Sequence, residues 1–351
     1  MPVGNNRAPV KASKVNYTQK DAWISAGESQ TGAESYQPAR NWLDGIYADT
    51  ITSIQYPTFQ GTTYTMNYIS NQDAFSLAKA LTQEGNIYGL TKSADSHLVK
   101  NSEWGAIAYL SQSTYGLNGT DIAINNINLN SGGEKRTNTQ GKSGVDSVYS
   151  VTGCTTGEAS SKQKITTIAN INSTTGNTAA DGVYTWNQLT GTKASSTGTI
   201  YGVYDMSGGF EKVSMYIANG NNVLKQYGEA MTYENNSLKQ VSTKYTTCYP
   251  LDSTADNTQV IENQANGEKA SVQNWLTNTK IYGDALREVS KSGDADTNWY
   301  GDYVRYMCLN NPFAVRSGAV TSEKLAGLFY MYPHNGTSHY FHGFRAVLVV
   351  G

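Results

Sequence analysis

Apolar positions recur along this chain at two spacings, and the spacing separates helices from strands. Between Asn71 and Leu81 the residues Ala74, Leu77, Ala78 and Leu81 fall three and four apart, which places them on one helix face. Ser70 stands at the N-cap position with Asp73 three residues on, and Gly85 supplies a stop. A second helix is predicted from about Ser102 to Ser113, capped by Asn101, with Trp104, Ile107 and Ala108 inward and Gly116 beyond its end. A third fits Tyr282–Val289, with Tyr282, Ala285, Leu286 and Val289 on one face. Strand-like runs appear at Thr199–Tyr204 and Val213–Ile217. The near-continuous apolar run Phe344–Val350 suits a central, buried strand. From Trp23 to Tyr68 short apolar runs alternate with Gly and Pro, the pattern of strands and turns.

The pattern fades in two places. Residues 1–20 are polar and read as an arm or attachment segment. Residues 118–198 are rich in Asn, Ser, Thr and Gly with few large apolar side chains. They read as a polar insertion of short strands and loops, partly packed by Tyr184 and Trp186, on a single domain spanning 21–351. A disordered linker is the alternative, because uncharged polar tracts can fail to bury enough surface.

Composition narrows the class. There are 26 basic and 28 acidic residues, a net charge of −2, which argues against a nucleic-acid partner. Charged residues make up only 15%, against roughly 25% in an ordinary soluble domain. The balance is uncharged polar residues with 25 tyrosines and 34 glycines, the chemistry of an exposed recognition surface. Three cysteines (Cys154, Cys248 and Cys308) lie far apart with no CxxC, which excludes a disulfide framework and a local zinc knuckle but leaves room for one disulfide. No run approaches the length of a membrane span, so no membrane insertion is expected. Met1 to Arg7 has no signal-peptide stretch. The expectation is a cytosolic product that leaves by assembling into a particle, or a chain that has lost its leader.

Four stretches, in order, carry a resemblance. They are Tyr68-Ile69-Ser70-Asn71-Gln72-Asp73-Ala74, then Lys100-Asn101-Ser102-Glu103-Trp104-Gly105-Ala106-Ile107-Ala108-Tyr109-Leu110, then Gly202-Val203-Tyr204-Asp205-Met206-Ser207-Gly208-Gly209, and last Asn311 to Gly318 with the closing Gly343-Phe344-Arg345. Together they resemble the formylglycine-generating-enzyme (sulfatase-modifying factor) superfamily, built on a C-type-lectin-like fold. The resemblance implies an α+β domain of that type with much irregular backbone. The departures are informative. Gly209 stands where the family has Asn, Phe210-Glu211-Lys212 replaces Trp-Glu-Trp, and Arg316-Ser317-Gly318 replaces Arg-Gly-Gly. The family's oxidases hold copper with two cysteines before the closing strand, and residues 319–342 contain none. The expectation is therefore a protein that is not an enzyme.

What remains is similar to the variable ligand-binding proteins of diversity-generating retroelements, such as phage tail tropism determinants and bacterial surface adhesins. In that group the segment before the Gly-Phe-Arg strand displays the binding residues. Here it holds three of the four histidines together with Tyr330, Tyr332, Tyr340 and Phe341. Val320, Ser322, Lys324, Tyr330, Tyr332, His334, Ser338, His339, Tyr340 and His342 are expected to be mostly exposed on one surface, with Leu325, Ala326 and Phe329 supplying the core. The implied partner is a protein or glycan receptor on a cell surface, and the implied location is a virion or the cell exterior, with a homo-oligomer, such as a trimer, as the assembled state. Two alternatives stay open: a pilus-associated adhesin or structural subunit, and a formylglycine-type oxidase.

Other residues take ordinary roles. Asp205 and Arg316 read as loop-to-core ties, Trp104 and Phe344 as core, and Glu103, Gly318 and Gly343 as parts of the motif; Arg345 is expected to be a buried partner for a carboxylate or carbonyls. His97 reads as a lone loop residue. The spacings of His334, His339 and His342 do not match a helical zinc pair, so a metal is not assigned. Calcium is kept open on the oxygen-rich stretches 252–257 and 294–298, which also read as simple turns.

Overall fold

A computed structural model describes residues 70–83, 90, 93–122, 149–150, 183–184, 195–199, 201–204, 206–218, 221–251, 283–286, 301–308, 310–319, 322, 325–338 and 342–349. The fold is mixed α+β and is organised around one strand. That strand, β4 (Gly209–Ala218), is buried along all ten of its residues. On one side it pairs antiparallel with β8 (Phe313–Ala319), and β8 pairs antiparallel with β9 (Gly327–His334). Three short segments share its other side. Beside Glu211 and Lys212 runs β10 (Gly343–Phe344), in parallel. Lys100 bridges Ser214, whose N–H donates to Val99 O at 2.8 Å. Thr247–Pro250, as β7, pairs parallel with Met215 to Ala218.

Helices cover both faces. On one side lie α1 (Asn71–Ala80) and α3 (Asn222–Thr232), where Ala74, Phe75, Leu77, Leu224 and Met231 pack on Tyr216, Phe313 and Phe344. On the other lies α2 (Asn101–Gln112), whose Trp104 packs with Val213, Met215, Ile217, Ala314, Phe329 and Met331. The Trp104 indole is fully buried and donates to Leu328 O at 2.7 Å, which satisfies its one polar group. The α1 cap forms as its sequence predicts: the Ser70 hydroxyl accepts from Asp73 N at 3.1 Å. Lys100, rather than Asn101, occupies the N-cap position of α2, and Glu103 Oε2 accepts from its backbone N–H at 2.9 Å. Asn101 is instead drawn fully inside, where its amide donates to Tyr249 OH at 2.7 Å and to Asp284 O at 2.9 Å.

Several sequence expectations are corrected. Residues 283–286 bend rather than coil, with φ of 92° at Gly283 and 56° at Ala285, values a right-handed helix excludes. Ala285 and Leu286 are buried all the same, so their apolar spacing reports burial and not a helix. The bend itself is built in by Gly105 of α2, because a Cβ there would run into Gly283 O and Asp284 Cα. Residues 201–204 pass from a turn and bend into irregular backbone and form no strand. The closing run is split at Arg345: β10 joins the main sheet, while β11 (Ala346–Val349) turns away to pair antiparallel with β1 (Asp95–Leu98). It is peripheral, with Val349 51% exposed, and not a central strand. The reason is the arginine. Its guanidinium is turned inward onto the Glu211 carboxylate, with contacts of 2.9 Å and 2.7 Å and both side chains buried.

His97 is not a loop residue but a buried member of β1, with Nε2 2.8 Å from Glu103 Oε1. Two short parallel strands, β2 (Tyr149–Ser150) and β3 (Val183–Tyr184), pair within the polar stretch. A hairpin of β5 (Tyr233–Glu234) and β6 (Ser237–Leu238) follows α3. Cys248 and Cys308 are buried free thiols, and Cys154 lies outside the described residues. So do the arm at 1–20, the 23–68 stretch and Gly85. No helix among the described residues is long and apolar enough to cross a membrane.

Two outcomes test this account. Arg345→Ala should destabilise the protein by about 3–5 kcal/mol, because it strands a buried carboxylate, whereas replacing Glu211 and Arg345 together by Leu and Met should cost much less. Urea unfolding of the three proteins measures the difference. Burial opposes the charge on Glu103, but the His97 bond, the Lys100 N–H and nearby positive charge outweigh it and hold its carboxyl below the usual range. A lowered folded pKa means that ionised Glu103 adds stability above the ordinary carboxylate range and that this is lost as pH falls through the folded value. Glu103→Gln should therefore lower Tm at neutral pH, and the gap from wild type should close on acidification below that range.

Candidate binding face

The period-two alternation of β9 divides its side chains. Phe329 and Met331 enter the Trp104 core, while Tyr330, Tyr332 and His334 point to the opposite face. Toward this end of the sheet a small third cluster of Phe210, Val315, Ala319 and Tyr330 packs on that face, and it contains no residue of α1 or α3. Tyr303 and Tyr332 lie half-buried on its rim.

The rim is extended by residues 303–305. Tyr303 N donates to Leu325 O at 2.9 Å, Met331 N to Tyr303 O at 3.1 Å, and Arg305 N to Met331 O at 2.9 Å, so the segment runs along β9 as an edge. Val304 turns into the core and leaves Tyr303 and Arg305 on the outer face. Tyr303 stacks on Tyr332 at 6.3 Å with 27° between the rings, and the Arg305 guanidinium stands 5.5 Å and 5.8 Å from the two ring centroids. Further in, Phe210 meets Tyr330 at 5.7 Å and His342 at 4.9 Å, and His342 meets His334 edge-on at 4.2 Å. The Gly336 N–H donates to His334 Nδ1 at 2.9 Å, which fixes that ring against the turn after β9.

The outer face thus gathers some of the expected residues and withdraws others. Tyr332, His334, Ser322 and Ser338 are half-buried rather than open. Tyr330 and His342 are buried, at 5% and 1% exposure, because Phe210 and the rim tyrosines close over them; they belong to the floor of the face. Burial pushes the Tyr330 hydroxyl well above its ordinary pKa, with a smaller opposing effect from the Ser322 hydrogen bond. The Ser322 hydroxyl also accepts from Ala319 N at 3.0 Å and so shapes the turn between β8 and β9. Val320, Lys324, His339 and Tyr340 lie outside the described residues, as does Asp205. Ala326 and Phe329 are core, while Leu325 is only half-buried.

Phe210, Tyr303 and Arg305 escaped the sequence reading. Phe210 was read there only as part of a motif departure, and Tyr303 and Arg305 lie in the short stretch Asp302-Tyr303-Val304-Arg305, which no motif or clean alternation marks. Phe210 adopts φ of 40°, an uncommon value for an aromatic residue, beside the bulge in the β4–β8 pairing.

Beneath the face the motif residues hold the strands together. Ser317 and Gly318 both have positive φ, 79° and 72°, where the register of β8 against β9 slips. Ser317 offsets that conformation with contacts of its own: its hydroxyl accepts from Gly209 N at 2.7 Å, and its carbonyl from Gly208 N at 3.2 Å. A Cβ on Gly318 would meet Ala326 Cα at 2.9 Å. Arg316 is fully buried 5.9 Å from the Trp104 ring and donates to Ala285 O at 3.2 Å. Near it Asp284 accepts from Tyr249 OH at 2.7 Å, and burial raises the Asp284 carboxyl above its usual pKa despite that bond and the Arg316 charge. These groups anchor the 283–286 bend to the sheet.

Among the described residues no group of three or more His, Cys, Asp and Glu side chains is placed to hold a metal ion, and the stretches 252–257 and 294–298 lie outside them. Compared with models of known families, with curated proteins and with solved structures, the chain matches none.

Proposed function

We propose that this chain is a non-catalytic receptor-binding protein whose ligand docks on the outer face of β9 and its 303–305 edge. The observation that carries this reading is the stacked pair Tyr303–Tyr332 with Arg305 beside both rings, half-exposed beside a cluster that contains no residue of α1 or α3. Aromatic rings and arginine are the side chains that dominate binding energy at protein interfaces, and tyrosine offers a flat apolar body with a polar tip. Such a face suits a protein or a glycan on a cell surface. The uncharged, tyrosine-rich and glycine-rich composition is in keeping with it.

The lectin-like reading of the fold belongs to the same proposal. It is supported by the meeting of the Gly208-Gly209 turn with the Arg316-Ser317-Gly318 bulge and by the Arg345–Glu211 pair beside β10. A phage-tail or retroelement-diversified variable protein is the setting in which a fixed scaffold with a replaceable aromatic face makes sense, and a homo-oligomer such as a trimer would multiply weak contacts.

Fluorescently labelled protein applied to a glycan array and to a panel of bacterial cells tests the reading. Tyr303→Ala combined with Tyr332→Ala should reduce binding at least about tenfold, since each stacked ring contributes on the order of 1 kcal/mol beyond its area. Tm should fall only slightly, because both rings are on the rim. Undiminished binding by a folded double variant would place the ligand elsewhere.

A further inference from the structure

Lys212 is the residue that the receptor-binding reading leaves unused. It lies at the middle of the main sheet, opposite Val315 of β8 and Phe344 of β10, and it is fully buried. Its Nζ stands 2.8 Å from Oδ1 of Asn71 and 2.9 Å from Thr337 O. Three segments converge there: β4, the start of α1 and the turn after β9. The Asn71 N–H donates to Gly336 O at 2.9 Å, which clamps the first turn of α1 to that turn. The Asn71 side chain therefore has a fixed approach to the amine. It is 1% exposed, and its Nδ2 has no hydrogen-bond partner among the described residues.

We propose that Lys212 and Asn71 join in an intramolecular isopeptide bond, with Asp73 as the proton carrier. The amine lone pair adds to Asn71 Cγ, forming the Nζ–Cγ bond. The Cγ–Nδ2 bond breaks, and Nδ2 departs as ammonia. The Asp73 carboxyl gives its proton to the departing nitrogen and takes one from Nζ, so it ends as it began. A primary amine and a carboxamide become a secondary amide and ammonia, with no change in oxidation state and no co-reactant.

The physical setting favours each part. A lysine is a nucleophile only when neutral, and burial holds the Lys212 amine well below its ordinary pKa, with the Asp73 charge pulling weakly the other way. Burial likewise raises the Asp73 carboxyl, against the Ser70 hydrogen bond and the Lys212 charge, which shifts it toward its acid form. Asp73 shares the first turn of α1 with Asn71, and its Oδ2 accepts from the Ser70 hydroxyl at 2.7 Å. The reaction also removes two costly groups at once, a buried amine with few partners and an unpartnered buried NH₂. The fixed contact holds the reactants together without loss of translational freedom. The product would close a covalent loop across 141 residues that contains the polar stretch 118–198. Such a closure restricts the unfolded chain.

Mass spectrometry decides the matter on the intact, folded wild-type chain. Its mass, measured after denaturation, should fall short of the sequence mass by one ammonia. A protease digest should contain the Lys212 peptide joined to the Asn71 peptide, with no tryptic cleavage after Lys212. Lys212→Met and Asn71→Ala should each restore the full mass. If either fails to fold, the wild-type mass and digest still decide. Asp73→Asn, which keeps the shape of the side chain, should leave most molecules uncrosslinked and lower Tm. A folded wild type of full sequence mass overturns the proposal. So does an ammonia loss that maps to Asn118, Asn219, Asn266 or Asn335, each followed by glycine, or a loss of water that joins Lys212 to Asp73. Crosslinking of Asp73→Asn as complete as in wild type removes Asp73 from its role.

Discussion

The burial of β4 is the constraint from which the rest of this structure follows. Ten consecutive residues without exposure must satisfy every backbone N–H and C=O on both edges and every side chain on both faces. One edge is met by β8 along most of its length. The other is met piecemeal by β10, by Val99 and Lys100, and by β7. No single strand covers that edge, so three distant parts of the sequence must arrive together. Long-range pairing of this kind is entropically slow to assemble, since loops must close before contacts reward them.

The polar residues of β4 set the rest of the design. Glu211 and Lys212 are adjacent in sequence and buried, so they point to opposite faces and each needs its own partner. Glu211 draws Arg345 inward, and that is what ends the sheet at Phe344 and sends β11 off to β1. Lys212 draws the start of α1 and the turn after β9. The helix N-terminus, the closing strand and the turn after β9 are therefore tied to two neighbouring residues of one strand. A buried ion pair is a weak source of net stability, but a broken one is expensive, so such pairs select one arrangement over its competitors.

The aromatic face is the converse case. At the far end of the sheet the outward side chains of β9 pack, among the described residues, against one another, Phe210, Val315, Ala319, His342 and the 303–305 edge. Tyrosine, histidine and arginine tolerate that half-buried state because each has an apolar body and a polar end. The floor residues Tyr330 and His342 are held by Phe210, while Tyr303, Tyr332 and Arg305 keep surface to offer.

Local chemistry alone determined the two helices Asn71–Ala80 and Asn101–Gln112. Their apolar residues repeat at helical spacing, Ser70 caps the first in place, and the Glu103 carboxylate closes the N-terminus of the second. The core role of Trp104, the burial of Arg345 and the unusual aromatic content of the segment before Gly343 were legible from residue type and motif, while the choice of Glu211 as the arginine's partner was not. Helix α3 was hidden by Gly228 in its middle, a residue explained only by the Phe313 ring, 2.6 Å from where a Cβ would stand. Ala285 and Leu286 looked helical because burial in an irregular bend can mimic a helical face over a few residues. Phe344–Val350 looked like one central strand because apolar runs do not reveal where a charged residue between them will turn. The site divides in the same way. The tyrosines were visible as a concentration of residue type, but their exposure, the stacking of Tyr303 and Arg305 from another segment, and the meeting of Lys212 with Asn71 depend on contacts between residues far apart in the chain. No local spacing encodes such contacts, and only the tertiary structure decided them.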